Sequence, residues 1–163
     1  MSERLIMEFR IIDLDWEGQF SITYDREEEA YLLDKVPEEL LNLNGFYQIY
    51  GRHPVYGKDV LLYIGETKEN ADGTRRFRDR LNEHIKGRFF YYTNLSISLA
   101  PSKEDDKTIK EVESVLINTH KPALNKQHIE TKKKYRNPLL VRNWNFVGSL
   151  NDCCTSYWDE IDS

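Results

Sequence analysis

A carboxylate in the last predicted helix falls where an apolar side chain is expected. On a helical wheel of about 100° per residue, Glu113 lies inside the apolar arc of that helix, whereas Glu111 points to solvent. The arc is formed by Ile109, Val112 and Leu116. A carboxylate buried without a partner is costly or becomes protonated, so it requires a basic side chain or a metal ion. We favour a metal ion at Glu113, with an arginine partner as the alternative.

The preceding predicted helix carries a cation and an imidazole on adjacent turns. Arg80 and His84 are four residues apart, so they share one face of the helix. They flank an apolar stripe made of Phe77, Leu81 and Ile85. A guanidinium binds phosphate, and an imidazole moves protons near neutral pH. The pair therefore predicts chemistry on a phosphate group, although either residue alone is more typical of a structural role.

Two tyrosines are predicted to share one face of a β-hairpin. The runs 45–51 and 59–65 are aromatic and β-branched and are joined by a short turn-forming linker, which is typical of a hairpin. If strand pairing is centred on Val55, Tyr47 and Tyr63 lie directly opposite each other. Opposite residues of an antiparallel pair project from the same face of the sheet. Tyrosines in hairpins are usually structural, so these two indicate a functional site only in combination with Arg80, His84 and Glu113.

The elements that must position these side chains follow the order β-β-α-β-α. After the hairpin, helical periodicity covers 74–87 and 105–120, and a strand is predicted over 89–99 between them. Pro122 is expected to end the second helix. We therefore expect an α+β protein with a small antiparallel β-sheet flanked by helices.

The residues before this core are predicted to form a small extension. The segments 7–15 and 18–24 alternate apolar and polar side chains and predict an N-terminal β-hairpin. A brief helix is expected over 37–41, where a proline is followed by acidic residues. The composition changes near Asn44, which we take as a soft domain boundary.

The length and charge of the chain first argue against a nucleic-acid coat protein. Its 163 residues suit one domain, and the formal net charge is −5. The charge is unevenly distributed, because residues 1–44 carry −8, residues 45–142 carry +7 and residues 143–163 carry −4. Two cation clusters in the basic middle are predicted to contact nucleic acid: Arg75, Arg76, Arg78, Lys86 and Arg88, and then Lys132, Lys133 and Lys134 with the nearby Arg136.

Several other functional classes find no support in the sequence. No apolar run approaches the roughly 18 residues of a membrane helix, so no membrane partner is expected. The first residues lack the pattern of a secretory signal, and we expect a cytoplasmic protein. The two cysteines, Cys153 and Cys154, are adjacent and cannot form a Cys-x-x-Cys zinc site. They are expected to be reduced thiols without a functional role.

Taken together, the motifs resemble the GIY-YIG nuclease superfamily over residues 45–125. In chain order they are Gly45-Phe46-Tyr47, Tyr63-Ile64-Gly65, Arg80 followed by His84, Glu113 in Glu-x-x-Leu-Ile, and Asn125 closing His-Lys-Pro-x-x-Asn. The resemblance divides the chain into an acidic extension over 1–44, the nuclease core, and a C-terminal extension over 126–163. That last part is basic and then aromatic, and we expect it to pack on the core.

The resemblance implies hydrolysis of phosphodiester bonds with one divalent cation. Glu113 would hold Mg²⁺ or Mn²⁺ through a carboxylate oxygen, while water and the substrate phosphate complete the coordination. Arg80 would stabilise the negative charge on the phosphate. The expected enzyme is an endonuclease, with double-stranded DNA favoured as its partner.

The resemblance leaves the general base open between two residues. Tyr47 is the usual candidate in the family, but an ordinary phenol titrates near pH 10 and needs help from nearby cations. His84 could orient or deprotonate the same water. Tyr63 would position the nucleophile or the scissile phosphate, and Asn125 would brace the site through hydrogen bonds.

The sequence departs from the family in three places, none of which removes a catalytic side chain. Phe46 replaces the usual isoleucine, fifteen residues separate Tyr47 from Tyr63, and the loop before the arginine helix is lengthened around 69–74. Lengthened connections are well tolerated in loops.

Other classes of function remain open at this point. The chain could be a catalytically silent nucleic-acid-binding module of the same fold, or a protein-interaction domain that uses its acidic block. Within the nuclease class, the block over 1–44 could shield the site or determine specificity. The short C-terminal segment favours a compact restriction-type enzyme, and a homodimer of such an enzyme would cut both strands.

Overall fold

The computed structural model describes residues 8–67, 75–89, 92–129 and 137–156. Within these ranges it contains three helices, α1 (Glu38–Leu41), α2 (Phe77–Arg88) and α3 (Asp106–His120). The strands are β1 (Arg10–Asp15), β2 (Glu17–Ser21), β3 (Thr23–Asp25), β4 (Ala30–Leu32), β5 (Gly45–His53), β6 (Gly57–Glu66), β7 (Thr93–Pro101), β8 (Leu139–Trp144) and β9 (Cys153–Thr155). The α+β class and the predicted β-β-α-β-α order of the core are confirmed.

The centre of the molecule is an antiparallel sheet with the strand order β2-β7-β5-β6. Successive side chains of a strand point to opposite faces, so neighbouring residues of β5 enter different parts of the core. Phe46 packs with Val112 and Leu116 of α3, while Tyr47 packs with Leu81 of α2. The two long helices therefore cover opposite faces of one sheet, and β6 forms its edge between them.

The helices begin and end close to the predicted positions. The Asp105 carboxylate caps α3 by accepting a hydrogen bond from the Thr108 N–H at 2.7 Å. The helix ends at His120, and Lys121 takes a left-handed conformation with φ of 48° just before Pro122. The helix predicted from residue 74 begins at Phe77, and the strand predicted over 89–99 is β7. It starts four residues late because Phe89 packs against Tyr63 in the core instead.

The predicted N-terminal hairpin is wrong. β1 pairs in parallel with β8, in the register Arg10 to Leu139, and β9 completes that three-stranded sheet. β2 instead joins the central sheet beside β7. Alternating side chains determine which face of a strand is buried but leave its partner open, and both strands find partners far along the chain. The described first segment and the described last segment thus add strands around the core.

The hairpin of β5 and β6 forms as predicted, but its register differs by two residues. Tyr63 lies opposite Ile49, and Tyr47 lies opposite Gly65, with bulges between Ile49 and Tyr50 and between Gly51 and His53. The bulges shift the pairing away from the symmetric register that the linker suggests. Tyr47 and Tyr63 are consequently diagonal neighbours on one face, and not directly opposite each other.

The segment after α3 covers the outer edge of β6. The N–H groups of Ala123 and Leu124 donate to the carbonyl groups of Leu61 and Leu62, at 3.1 and 2.8 Å. This coverage protects an edge strand that would otherwise be open to pairing with another chain. In the described residues, no helix is both long and apolar enough to cross a membrane.

Candidate functional site

A cleft opens beside the edge strand β6, between α2 and the segment that follows α3. Its cavity of about 290 Å³ is lined by Tyr63, Arg80, His84, Glu113, Ile117, Asn125, Lys126, Gln127 and His128. A second cavity of about 630 Å³ shares Tyr63, Arg80, Glu113, Gln127 and His128 and continues along α3 past Lys110 and Lys107. Five of the six predicted catalytic residues therefore line one concave surface.

Tyr47, the sixth, lies behind this surface. Its side chain is fully buried, and its hydroxyl oxygen is 3.1 Å from His84 Nδ1. Its ring stacks on Tyr63 with the centroids 6.1 Å apart. A Cβ atom on Gly65 would lie 2.4 Å from the Tyr47 hydroxyl oxygen, so only glycine fits opposite this tyrosine. Tyr47 thus contacts the lining residues from inside the protein.

The surroundings of Tyr47 keep it protonated. Burial raises its pKa well above 10, and the neighbouring Tyr63 and Glu113 act in the same direction. The Arg80 guanidinium opposes this by favouring the phenolate, but its effect is smaller. At neutral pH Tyr47 therefore carries an intact hydroxyl group that holds the His84 ring.

Arg80 is a cation that lines both cavities of the cleft. Its side chain is 26% exposed, and Nη1 donates a long hydrogen bond of 3.4 Å to Glu83. Burial tends to lower its pKa, but Tyr47, Tyr63 and Glu83 outweigh burial and raise it. Among the described residues, none accepts a hydrogen bond from its buried Nε. The part-exposed guanidinium thus brings a positive charge to both cavities, where an anionic group would meet it.

Glu113 lines both cavities, facing the same space as Arg80, whereas the expectation for Glu111 is wrong. Glu111 is 8% exposed and forms an ion pair with Arg10 of β1. Helical periodicity placed Glu111 in solvent because the wheel takes no account of the strand that covers that side of α3. The carboxylate paired with an arginine is therefore Glu111, which borders the larger cavity only, while Glu113 lines both cavities.

The acidic residues of the cleft suit a hard divalent cation. Within the described residues, no group of three His, Cys, Asp or Glu side chains could hold a metal ion. Glu113 and Glu66 nevertheless line the same cavity. Mg²⁺ is usually held by one or two carboxylates together with water and substrate phosphates. Two carboxylates on a cavity wall, with room for water and phosphate oxygens, are a donor set that fits Mg²⁺ or Mn²⁺.

Asn125 connects the segment after α3 to the edge strand. The Ile64 N–H donates to Asn125 Oδ1 at 3.0 Å, and Asn125 Nδ2 donates to the Ile64 carbonyl oxygen at 2.9 Å. The Asn125 side chain thus pairs with both the backbone N–H and the backbone carbonyl of Ile64 in β6. This arrangement holds the cleft wall next to Tyr63.

The predicted cation clusters are only partly described. Arg75 pairs with Glu83, and Arg78 pairs with Glu38 of α1, while Arg76 is exposed at the start of α2. The remaining members of the two clusters lie outside the described side chains. They are Lys86, Arg88, Lys132, Lys133, Lys134 and Arg136. The described arginines of α2, other than Arg80, thus lie outside the two cavities.

Sequence reasoning missed the cations on α3 and the segment that follows it. Lys107 and Lys110 precede Glu113 at three-residue intervals, a spacing that was available as a signal. His128 has a positive φ of 64°. The buried Asn118 holds this segment by donating to the carbonyl groups of His128 and Ile129, at 3.4 and 3.2 Å. No sequence signal indicated that these contacts bring Gln127 and His128 to the cleft.

In comparisons with known proteins, no family model, curated protein or solved structure matches this chain.

Proposed function

We propose that this chain is a GIY-YIG-type endonuclease that hydrolyses phosphodiester bonds with Mg²⁺ or Mn²⁺. The observation that supports this most strongly is the convergence of Tyr63, Arg80, His84, Glu113 and Asn125 on one cleft. These residues come from β6, α2, α3 and the segment after α3, so local sequence proximity does not account for their meeting. A cation, an imidazole and a carboxylate around one cavity are the groups that phosphodiester hydrolysis requires.

Glu113 is the residue that would hold the divalent cation, with Glu66 on the wall of the same cavity. When bound, the cation would supply charge stabilisation to the phosphate and lower the pKa of a bound water. Arg80 lines the same cavities and would support the same phosphate. Its permanent charge suits the negative charge that develops as the new P–O bond forms.

Of the two candidates for the general base, the geometry favours His84. His84 lines the cavity, whereas Tyr47 is fully buried and has a raised pKa. In this role the His84 Nδ1–H donates to the Tyr47 hydroxyl oxygen, and Nε2 on the other side of the ring takes a proton from the attacking water. Tyr47 is then a positioning residue that fixes the tautomer and orientation of the imidazole.

The direct test is incubation of the purified chain with plasmid DNA and with RNA, in Mg²⁺ or Mn²⁺. We expect cleavage by the wild type and its loss in Glu113→Gln, which keeps the size of the side chain but removes its charge. Glu104→Gln, which changes an exposed carboxylate in the loop before α3, is the matched control and should cleave normally. Intact substrates with the wild type, or equal cleavage by Glu113→Gln, would overturn the proposal.

A silent binding module of the same fold is the second candidate. It is favoured by the sparse set of metal ligands, since no group of three His, Cys, Asp or Glu side chains in the described residues could hold a metal ion. Such a module would bind nucleic acid in the cleft without cutting it in either metal. Binding that weakens with salt, together with no cleavage product, would therefore select this candidate.

A further inference from the structure

The hairpin of β5 and β6 ends in an exposed apolar tip. Val55 is 79% exposed and Tyr56 is 68% exposed, the highest values among the large hydrophobic side chains of the described residues. Large apolar side chains that face solvent next to each other are typical of a contact surface. The tip, defined here as His53, Val55 and Tyr56, therefore needs an explanation.

The tip is held in a fixed conformation by His53. Its Nδ1 accepts hydrogen bonds from the N–H groups of Val55 and Tyr56, at 3.1 and 3.3 Å. The His53 ring stacks on Tyr56 with the centroids 4.5 Å apart and the planes 25° apart. An aromatic side chain that is already oriented loses little conformational entropy on binding. The tip thus presents a preorganised aromatic surface.

The tip rests on an aromatic row that leads back to the cleft. His53 contacts Tyr92 at a centroid distance of 6.3 Å, Tyr92 contacts Phe89 at 6.3 Å, and Phe89 contacts Tyr63 at 5.8 Å. Of these four rings, Tyr63 is the one that lines the cleft. The row supports the tip from below and ties its position to that of the candidate active site.

The charges around the tip suit a polyanion. Arg52 and Lys58 are exposed on either side of it, and Asp59 is the one acidic residue between positions 52 and 59. Exposed aromatic rings flanked by cations are the combination that binds single-stranded nucleic acid, because bases stack on the rings and phosphates meet the cations.

We propose that the tip is a stacking platform for an unpaired nucleobase of the substrate. This inference rests on the proposed function, since it takes the cleft to be the site of cleavage. Tyr56 lies in the turn just before β6, and Tyr63 is seven residues further along the chain, which corresponds to about 23 Å at the rise of a strand. At about 3.4 Å per stacked nucleotide, the base on the platform lies roughly seven nucleotides from the scissile phosphate.

The distance makes the platform testable with overhang length. Binding is measured in EDTA, which prevents cleavage, with fluorescein-labelled duplexes that carry single-stranded overhangs. Overhangs of about 3 nucleotides are too short, and overhangs of about 12 nucleotides are long enough, to reach a platform about seven nucleotides away. Tyr56→Ala should weaken binding of the long overhang between about fivefold and a hundredfold. It should leave binding of the short overhang unchanged. Tyr56→Phe should bind like the wild type, and so should the control Val147→Ala.

A second readout reports stacking itself. A 2-aminopurine base placed near the seventh unpaired position should lose fluorescence when the wild type or Tyr56→Phe binds, but not when Tyr56→Ala binds. Equal binding of the long overhang by Tyr56→Ala, with no difference in quenching, would overturn the platform. A wild-type dimer that Tyr56→Ala converts to a monomer would also overturn it, because the tip would then be a contact between copies.

The two proposals fail in different ways. Overhang-dependent binding through Tyr56, without cleavage in any metal, would support the platform and overturn the nuclease. Cleavage that depends on Glu113, with no effect of Tyr56→Ala on the long overhang, would do the reverse. A wild type that binds neither DNA nor RNA would overturn both.

Discussion

The hydroxyl of Tyr47 and the imidazole of His84 form the polar contact on which the proposed chemistry depends. Their 3.1 Å separation is an observation that no residue pattern contained. The family resemblance named six site residues in advance, and five of them line one cleft. Residue types and spacing could not rank Tyr47 against His84, because burial depends on how β5, β6 and α2 pack. Burial is what raises the Tyr47 pKa and places His84 in front of it.

The roles of these two residues predict the shape of the pH–rate profile. The Tyr47 pKa lies well above 10. Catalysis by its phenolate would therefore make kcat rise steadily with pH and keep rising at about pH 10, without a plateau. We expect no such climb in the wild type. Tyr47→Phe should lower kcat by about tenfold to a hundredfold, by releasing the His84 ring, with little change in KM. Measurement of kcat and KM between pH 6 and pH 10.5 checks this.

An alkaline limb that is present in the wild type and missing from Tyr47→Phe would return the role of base to Tyr47. Tyr31→Phe is a suitable control, since its hydroxyl donates to the Phe89 carbonyl at 3.3 Å, away from the cleft. The control should leave both the rate and its pH profile unchanged.

At the scale of elements, the segment after α3 is as important to the cleft as the helices are. Asn125 was predicted to brace the site, and the structure gives it two hydrogen bonds to Ile64. The β5–β6 hairpin, α2, β7 and α3 could be predicted because each has a strong period and clear end signals. The register of the hairpin could not, since bulges insert residues without leaving a periodic trace.

Removing the Asn125 side chain should destabilise the protein and loosen the cleft. Asn125→Ala leaves the backbone N–H and carbonyl of Ile64 without their partners in a buried position, which costs about 1–3 kcal/mol. Urea unfolding should show this loss of free energy of unfolding. The exposed Asn42→Ala at the end of α1 is the control and should change it by less than about 0.5 kcal/mol. Equal stability of both variants would show that Asn125 is no brace.

His120 predicts how stability depends on pH. Its Nδ1–H donates to the Leu116 carbonyl at 2.8 Å, and its Nε2 accepts from the Asn151 N–H at 2.9 Å, so the neutral ring joins α3 to the β8–β9 connection. Burial lowers its pKa below 6.5. Between the folded and unfolded pKa values the unfolded chain binds more protons, so stability falls as pH falls below about 6.5.

We therefore expect the free energy of unfolding to be lower at pH 5.5 than at pH 7.5, as measured by urea unfolding. His120→Gln should lose about 1 kcal/mol at pH 7.5 and show a smaller difference between the two pH values. Asn42→Ala, which changes an exposed side chain without a titratable group, is the control and should keep the wild-type difference. A His120→Gln protein with the full pH difference would assign that difference to other groups.

At the scale of the whole molecule, the net charge of −5 conceals where the cations lie. Dividing the charge by segment located the basic middle of the chain. It could not distinguish Arg75 and Arg78, which pair with acidic residues, from Lys107 and Lys110, which line the cavity. Ion pairs between distant residues depend on the packing of whole elements, as Arg78 with Glu38 illustrates. Segment charge is therefore a guide to a binding region, but a poor guide to its residues.

The lysines of α3 should determine the salt dependence of binding. Lys110 and Lys107 lie about 4.5 and 9 Å from Glu113 along the helix axis, so both are within about three nucleotides of a phosphate at Glu113, at about 3.4 Å per nucleotide of one strand. Lys107→Ala and Lys110→Ala should each reduce the slope of log K against log salt concentration by about one. Lys35→Ala, an exposed lysine of the acidic segment, should leave the slope unchanged. Unchanged slopes in all three variants would place the phosphates elsewhere.

The parallel pairing of β1 with β8 has a consequence for how the protein is made. Arg10 lies beside Leu139, so the first described strand must wait for nearly all of the chain before its partner is available. β2 likewise joins the sheet only beside β7. On the ribosome, the apolar faces of both strands stay exposed while the rest is synthesised, and long-range pairing of this kind is slow. Trimming the chain to residues 45–125 would remove β2 and leave β7 with a bare edge, so we expect that segment to be less stable by itself than within the whole chain.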